Sequence, residues 1–345
     1  MMELQKNEKL TSLLGDTILA ALRNPQVTDV MVNPDGSLWL DTFDGMQSGE
    51  EKLQANRTYN IICTVASMID EVVNRTHPDI RAEIPFSVND KQQRLLRFQG
   101  AIPPIVRGPS FTIRIPASRV FTMQEYVESG VLSRYQWEYL QSAIQERKNI
   151  LIVGSTGSGK TTFLNALIAE IARQSPQERI VTIEDTFELQ INVLNNVSFR
   201  SSDEIDMDRL LRNSLRSNPH RIVVGEVRGG KETLTMIKSW NTGHCGVCTI
   251  HANDALNGLI RIEQLIFEAG VLPVPEVIAS TINVIIYIEK NKDGKARRCV
   301  REVLEVIGYD RISRQYLTAM VTHEPYRLKD ESRQLFYELI EVHDE

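Results

Sequence analysis

Apolar and polar positions along the chain follow two different rhythms. From Leu10 to Arg23, Leu10, Leu13, Leu14, Ile18, Ala21 and Leu22 recur at helical spacing, which predicts a helix with one apolar face. "NPDG" at 33–36 supplies turn chemistry before a short strand around Leu38 to Leu40. A second helix is expected from Arg57 to Val73. "RAEIPF", "LLRFQGAI" and "SFTIRI" then read as strands, with Pro103, Pro104 and Pro109 between the last two. Residues 1–118 therefore predict a mixed α+β domain. Residues from Pro116 to Arg134 have no strong core pattern, so 119–134 reads as a linker.

Beyond the linker the rhythm changes. "NILIVG", "RIVTIED", "RIVVGEV", "VCTIHA" and "NVIIYIE" are apolar runs separated by amphipathic helical stretches. Strands that are apolar on both faces and alternate with helices predict a parallel sheet covered on both sides, so residues 135–345 read as an α/β domain. Internal repeats and low-complexity tracts are absent.

Composition narrows the functional classes. A chain of 345 residues is long for one hydrophobic core, and 42% apolar with 24% charged residues is ordinary for a soluble globular protein. The net charge of -6 gives no overall electrostatic reason to bind DNA or an anionic membrane, so there is no direct sequence support for a nucleic-acid partner. Four cysteines are too sparse for a disulfide scaffold. The N-terminus lacks an apolar signal region and no window approaches the roughly 18 apolar residues of a membrane span. A cytoplasmic location is the expectation.

The sharpest chemistry lies in "GSTGSGKTT". It satisfies G-x-x-x-x-G-K-[ST] through Gly154, Gly159, Lys160 and Thr161, and it stands between a strand and the helix "FLNALIAEIA". In such a loop the backbone N–H groups of Gly154, Ser155, Thr156, Gly157, Ser158, Gly159, Lys160, Thr161 and Thr162 converge on phosphate at a helix N-terminus. Lys160 reaches the β- and γ-phosphates and the Thr161 hydroxyl ligands Mg²⁺, so ATP and Mg²⁺ are the expected ligands. An acidic partner is needed at a neighbouring strand end. "RIVVGEV" supplies Glu226, and "RIVTIED" supplies Glu184 and Asp185.

"NTGHCGVCTIHAND", residues 241–254, has the ligand inventory of a zinc site. A strand through "VCTIHA" would nevertheless put Cys248 and Ile250 on one face and Thr249 and His251 on the other, which splits the ligands. Three readings stand: a metal site, structural histidines, or His244 and His251 facing the phosphate site.

"GSTGSGKTT", "IEDTFEL", "NPHRIVVGEVRGG" and "TGHCGVCTIHAN" resemble, in order, the Walker A, Asp, Walker B and His boxes of the secretion-superfamily traffic ATPases. Within these the chain most resembles the TrbB-type conjugal-transfer ATPases of type IV secretion. The resemblance covers most of the chain beyond about residue 80, more loosely through "LRFQGAIPPIV" and "PSFTIR". It implies a RecA-like P-loop ATPase domain behind a smaller N-terminal domain, and a homo-hexameric ring. That ring would work with inner-membrane components of a secretion or conjugation apparatus, with peripheral membrane association. By position, Glu184 would orient or activate water, Glu226 would support Mg²⁺, and His251 would sense the γ-phosphate. Arg97 and Arg114 match arginines that reach the nucleotide from the N-terminal domain. His220 replaces a common aspartate, and Lys231 a common glutamate. A pilus motor shares all four boxes, and a RecA-like nucleic-acid translocase is the rival from another class.

Overall fold

The computed structural model describes residues 2–42, 45–89, 92–116, 120–202, 204–290 and 298–321. The chain divides into two compact units, Met1–Arg119 and Val120–Glu345. The last residues of the expected second domain, 322–345, and residue 119 of the expected linker lie outside the described residues.

In the first unit, α1 (Met2–Arg23) buries the stripe Leu10, Leu14, Ile18 and Leu22. The helix is broken at Gly15, whose φ of 69° and ψ of 171° suit a residue without a β-carbon. The break is sealed by Arg57, which donates to the carbonyls of Leu13 (2.7 Å) and Leu14 (2.8 Å). The chain continues through β1 (Val27–Val32), β2 (Ser37–Thr42), β3 (Gly45–Lys52) and α2 (Ala55–Met68). It then runs through β4 (Asp79–Asn89), β5 (Gln92–Ala101) and β6 (Ser110–Arg114). These six strands form an antiparallel sheet in the order β3-β2-β1-β6-β5-β4. One core joins both helices to the sheet, with Ile61, Ile62, Phe98 and Ile113 all buried. The helix expected from Arg57 to Val73 starts two residues earlier and ends at Met68. Two strands, β1 and β3, lie outside the sequence reading, and β3 is mostly exposed.

In the second unit the chain passes α3 (Met123–Glu128), α4 (Arg134–Gln145), β7 (Ile150–Val153), α5 (Lys160–Gln174) and β8 (Ile180–Glu184). There follow β9 (Asn196–Arg200), α6 (Met207–Ser214), β10 (Arg221–Val224), α7 (Gly230–Asn241) and β11 (Cys245–Ile250). The remainder is α8 (Ala255–Glu268), α9 (Pro275–Thr281), β12 (Val284–Lys290), β13 (Arg298–Asp310) and β14 (Gln315–Met320). The sheet order is β14-β13-β12-β7-β11-β10-β8-β9. The apolar runs predict a parallel sheet; the stretch from β12 to β9 is parallel, while β13 and β14 add an antiparallel edge.

Successive residues of the central strands feed two cores. Leu151, Val153, Ile222, Val224, Cys248 and Ile250 pack under α6 to α9. Ile150, Ile152, Val223 and Val247 pack under α3 to α5. Burial on both faces is what makes these strands uniformly apolar in sequence.

The segment expected as a linker is largely structured. Thr122 and Glu125 form a capping box at α3, and Met123 and Leu132 are buried in the core beneath α5. Tyr126 meets Phe163 edge to face at 5.2 Å. Six helical residues offer too few positions for a period to appear, although each apolar one is used.

At the N-terminal edge of the parallel strands lies a buried ion pair. Arg221, 1% exposed, binds Glu178 at 2.5 Å and donates to the Ile144 carbonyl at 2.8 Å, while Arg147 takes the other Glu178 oxygen at 2.6 Å. Burial pushes the Glu178 carboxyl up, but the two arginines outweigh it and hold it below the usual range. Removing Arg221 leaves the buried Glu178 with only the half-exposed Arg147 as partner, and a buried charge that loses its buried partner is costly. Arg221→Met is therefore expected to destabilise the second unit by about 3 kcal/mol, and Arg221→Met with Glu178→Met to recover most of the loss. Urea midpoints of the full chain measure this, and a single variant as stable as the parent would contradict the account.

Candidate phosphate site

The groups of the site are placed by the ends of four parallel strands. β7 runs beside β11 in the register Val153↔Ile250, β11 beside β10 as Cys248↔Val224, and β10 beside β8 as Val224↔Ile183. The first residues past these strands are Gly154 and His251, then Gly225 and Glu226, with Glu184 closing β8. The parallel register thus gathers glycine loop, acids and histidine at one sheet edge.

The loop has the backbone the motif demands. Gly157 and Gly159 take φ of 70° and 102°, and a side chain at Gly154 would collide with the Ile288 carbonyl. Ser155, Thr156 and Gly157 are exposed, whereas Ser158 is buried and its hydroxyl has no hydrogen-bond partner among the described residues. Thr161 and Thr162 are half-buried on the first turn of α5. A cavity of about 500 Å³ opens beside Ser155, Thr156 and His251 and runs along Asn257 and Arg261 of α8.

Lys160 is the electrostatic centre. Only 6% exposed, its ammonium donates to the carbonyls of Gly154 (2.9 Å) and Ser155 (3.1 Å) and lies 3.0 Å from His251 Nδ1. Glu226 is 3.9 Å away. Burial drives the lysine down to about 8, against the attraction of Glu226 and with the repulsion of Arg228. His251 Nε2 is 2.8 Å from the Glu226 carboxylate. The other ring nitrogen, Nδ1, also lies 3.2 Å from the Gly154 carbonyl, so the imidazole bridges Glu226 to the loop and to Lys160.

The acids are tied down differently. Glu184, 3% exposed, accepts from the backbone N–H groups of Glu188 (2.8 Å) and Leu189 (2.9 Å), which fixes the turn after β8. Glu226 is held by Arg228 at 2.5 Å, and Arg228 reaches across to Asp185 at 2.6 Å. Arg228 therefore staples the ends of β8 and β10 together. The sequence reading assigns it no role, and its only signal is its place two residues after Glu226. Thr249, which donates to the Gly225 carbonyl at 2.6 Å, is likewise a supporting residue with no motif of its own.

Of the two histidines, the structure brings only His251 to the loop. His244 precedes β11 and His251 follows it, and seven residue steps along a strand separate them by roughly 20 Å. The cysteines lie on the strand between them. Cys248 belongs to the core under α6 to α9, and Cys245 places its thiol on the His220 carbonyl at 3.3 Å. Burial pushes both thiols up, Cys248 strongly. Among the described residues no group of three or more histidines, cysteines and acids could hold a metal ion.

Arg97 and Arg114 meet each other in the first unit. They are cross-strand partners on β5 and β6, and the same row continues to Asp29 on β1 and Glu83 on β4. Arg114 pairs with Asp29 at 3.2 Å and remains half exposed. The row lies on the face of the sheet opposite Leu96, Phe98 and Ile113, which point into the core.

The chemistry of the donors suits magnesium held in common with phosphate. Mg²⁺ takes one or two protein oxygens and completes its shell with phosphate and water. The Thr161 hydroxyl and the Glu226 carboxylate are such donors.

Residues 50–345 match the profile of the family described as "Type II/IV secretion system protein". The chain is 43% identical over 302 residues to the "Conjugal transfer protein TrbB" of Rhizobium radiobacter, covering 87% of this chain and 90% of that protein. It is 42% identical to the "Probable conjugal transfer protein TrbB" of Sinorhizobium fredii (strain NBRC 101917 / NGR234), covering 86% and 89%. The X-ray structure of the Legionella pneumophila ATPase DotB shares the fold, with a TM-score of 0.63 at 18% identity over 86% of this chain and 80% of that one. With the motifs, the mixed sheet and these matches in agreement, the chain belongs to the type II/IV secretion system protein family.

Proposed function

We propose that this protein hydrolyses ATP to ADP and phosphate at the Gly154–Thr162 loop and uses the energy to drive a conjugal-transfer or type IV secretion apparatus. The observation that carries the reading is Lys160. A buried ammonium held by two loop carbonyls, with an acid and a histidine from two neighbouring strands beside it, is a cation waiting for phosphate. The names of the relatives support the setting, because proteins called conjugal transfer protein TrbB match along most of their length.

The roles follow from position. Exposed amides of Ser155, Thr156 and Gly157 receive phosphate oxygens at the start of α5. Thr161 and Glu226 would hold Mg²⁺, which neutralises charge on the phosphates. Glu184, at the adjacent strand end, orients the attacking water. Phosphate draws Lys160 away from His251 Nδ1. That frees the His251 ring, which touches both Lys160 and the Gly154 carbonyl, to turn toward a γ-phosphate. Its contacts to Lys160, the loop and Glu226 make His251 a sensor of the terminal phosphate. Arg97 and Arg114 supply further positive charge from the N-terminal domain, and the working unit is a homo-hexamer at the inner membrane. Among the described residues no helix is long and apolar enough to cross a membrane.

Lys160→Ala should retain the parent's fold and lose ATP turnover by about a hundredfold or more. Phosphate release measures this, and near-parent turnover would sink the assignment. A pH dependence follows from the depressed lysine. Below about pH 8 its ammonium is already charged in the free chain, whereas above it binding must take up a proton. Affinity for Mg²⁺·ATP should therefore fall as pH rises from 8 to 9.5, by up to about tenfold per unit. Isothermal titration gives the profile, and a flat one contradicts the buried-lysine account.

Arg114→Ala tests the contribution of the N-terminal domain. Loss of one cation acting on transferring charge should lower kcat about tenfold or more while weakening nucleotide affinity less. An unchanged kcat would leave Arg114 as the sheet-face partner of Asp29 and nothing more.

A further inference from the structure

A second group of cations stands at the phosphate loop, on strands that the four sequence boxes do not include. β12 ends at Lys290, β13 begins at Arg298, and the two residues are direct cross-strand partners. They alternate with Glu289 and Cys299 and so share the strand face of Ile288 and Val300, which packs under α5. A β-carbon built on Gly157 would lie 3.2 Å from Lys290 Nζ, and one on Gly159 would lie 3.0 Å from Arg298 Cδ. Both side chains therefore lie against the two loop glycines with positive φ. The end of β12 is fixed there, because the Ile288 carbonyl occupies the place a Gly154 side chain would need.

Sheet order sets the side from which they act. β7, which carries the loop, lies between β12 and β11. His251 and Glu226 approach from the β11 and β10 side, and Lys290 and Arg298 from the β12 and β13 side. Like charges directly opposite each other on neighbouring strands repel, and here they also stand beside a loop that carries a third cation, Lys160.

We propose that Lys290 and Arg298 are a second phosphate-binding pair, gripping the phosphate chain of the bound nucleotide from the side of the loop opposite His251 and Glu226. The proposal rests on the nucleotide reading of the loop. Because the acids and His251 occupy the other side, the pair acts on holding the phosphates more than on the transferring group.

The test measures affinity for Mg²⁺·ATP and for ADP, together with KM and kcat, on the full chain. Lys290→Ala, Arg298→Ala and the double variant are compared with the parent and with Lys160→Ala. Each single substitution is expected to raise Kd about fivefold and the double one about twentyfold or more, as for charges at short range near a protein surface. The loss should fall chiefly on KM, for ATP and ADP alike. The double variant should also show a shallower dependence of Kd on salt, because two screened attractions are gone. Lys290→Arg and Arg298→Lys should restore most of the affinity, which a merely structural role for either side chain would not require. Parent-like affinity and salt dependence in the double variant, with Lys160→Ala impaired, would overturn the pair and leave the loop assignment standing. Parent-like nucleotide binding in Lys160→Ala, or none in the parent, would overturn both.

Discussion

The parallel register of β8, β10, β11 and β7 is the constraint on which the rest of the site depends. Those strands end within two residues of one another in register, so the residues that follow them are delivered to the same edge. The register is held from below by burial on both faces and by close backbone approach. Gly246 illustrates the second, because any side chain there would collide with the Ile222 carbonyl on the neighbouring strand. At the opposite edge Glu178, Arg221 and Arg147 tie the N-terminal end of β10 to the turns after α4 and α5. A slip of one residue would turn core side chains toward the wrong helix layer, so the site's alignment is secured by the whole core.

On that frame the electrostatics are deliberately unsatisfied. Lys160 is buried where charge is costly, and its stabilising contacts are neutral carbonyls, an imidazole nitrogen and an acid at 3.9 Å. Glu226 divides its oxygens between His251 and Arg228. Under the proposed function an arriving polyphosphate would offer Lys160 a far better partner and disturb the histidine and the acid together. Binding would thereby be linked to the ends of β10 and β11, and through Arg228 to β8.

Much of this was legible in the sequence, for identifiable reasons. A motif of fixed spacing after an apolar run marks Gly154 to Thr162, and the strand ends at Glu184, Glu226 and His251 follow from where the apolar runs stop. The antiparallel edge was not legible. β13 interleaves Arg301, Glu302 and Glu305 with its apolar residues, and its partner β12 has a register shift at Tyr287/Ile288 that breaks the alternation. β9 is an edge strand with exposed alternate residues and reads as polar loop. The same limits hid Lys290 and Arg298, whose proximity to the loop arises only when β12 pairs beside β7. His244 shows the converse error: closeness in sequence to His251 suggested a shared site, whereas the length of one strand separates them.

The central claim is that the strand-end acids make this a hydrolytic phosphate site as well as a binding one. The most direct measurement is phosphate release under saturating Mg²⁺·ATP, beside equilibrium nucleotide binding, for the parent, Glu184→Gln and Glu226→Gln. Glutamine keeps an oxygen for the amides of Glu188 and Leu189, so the turn after β8 is preserved. The account predicts turnover by the parent, and nucleotide still bound but turnover lost by about a hundredfold or more in Glu184→Gln. Glu226→Gln should lose turnover and also its dependence on Mg²⁺ concentration. A parent that binds ATP without releasing phosphate, or full turnover in both variants, would contradict it.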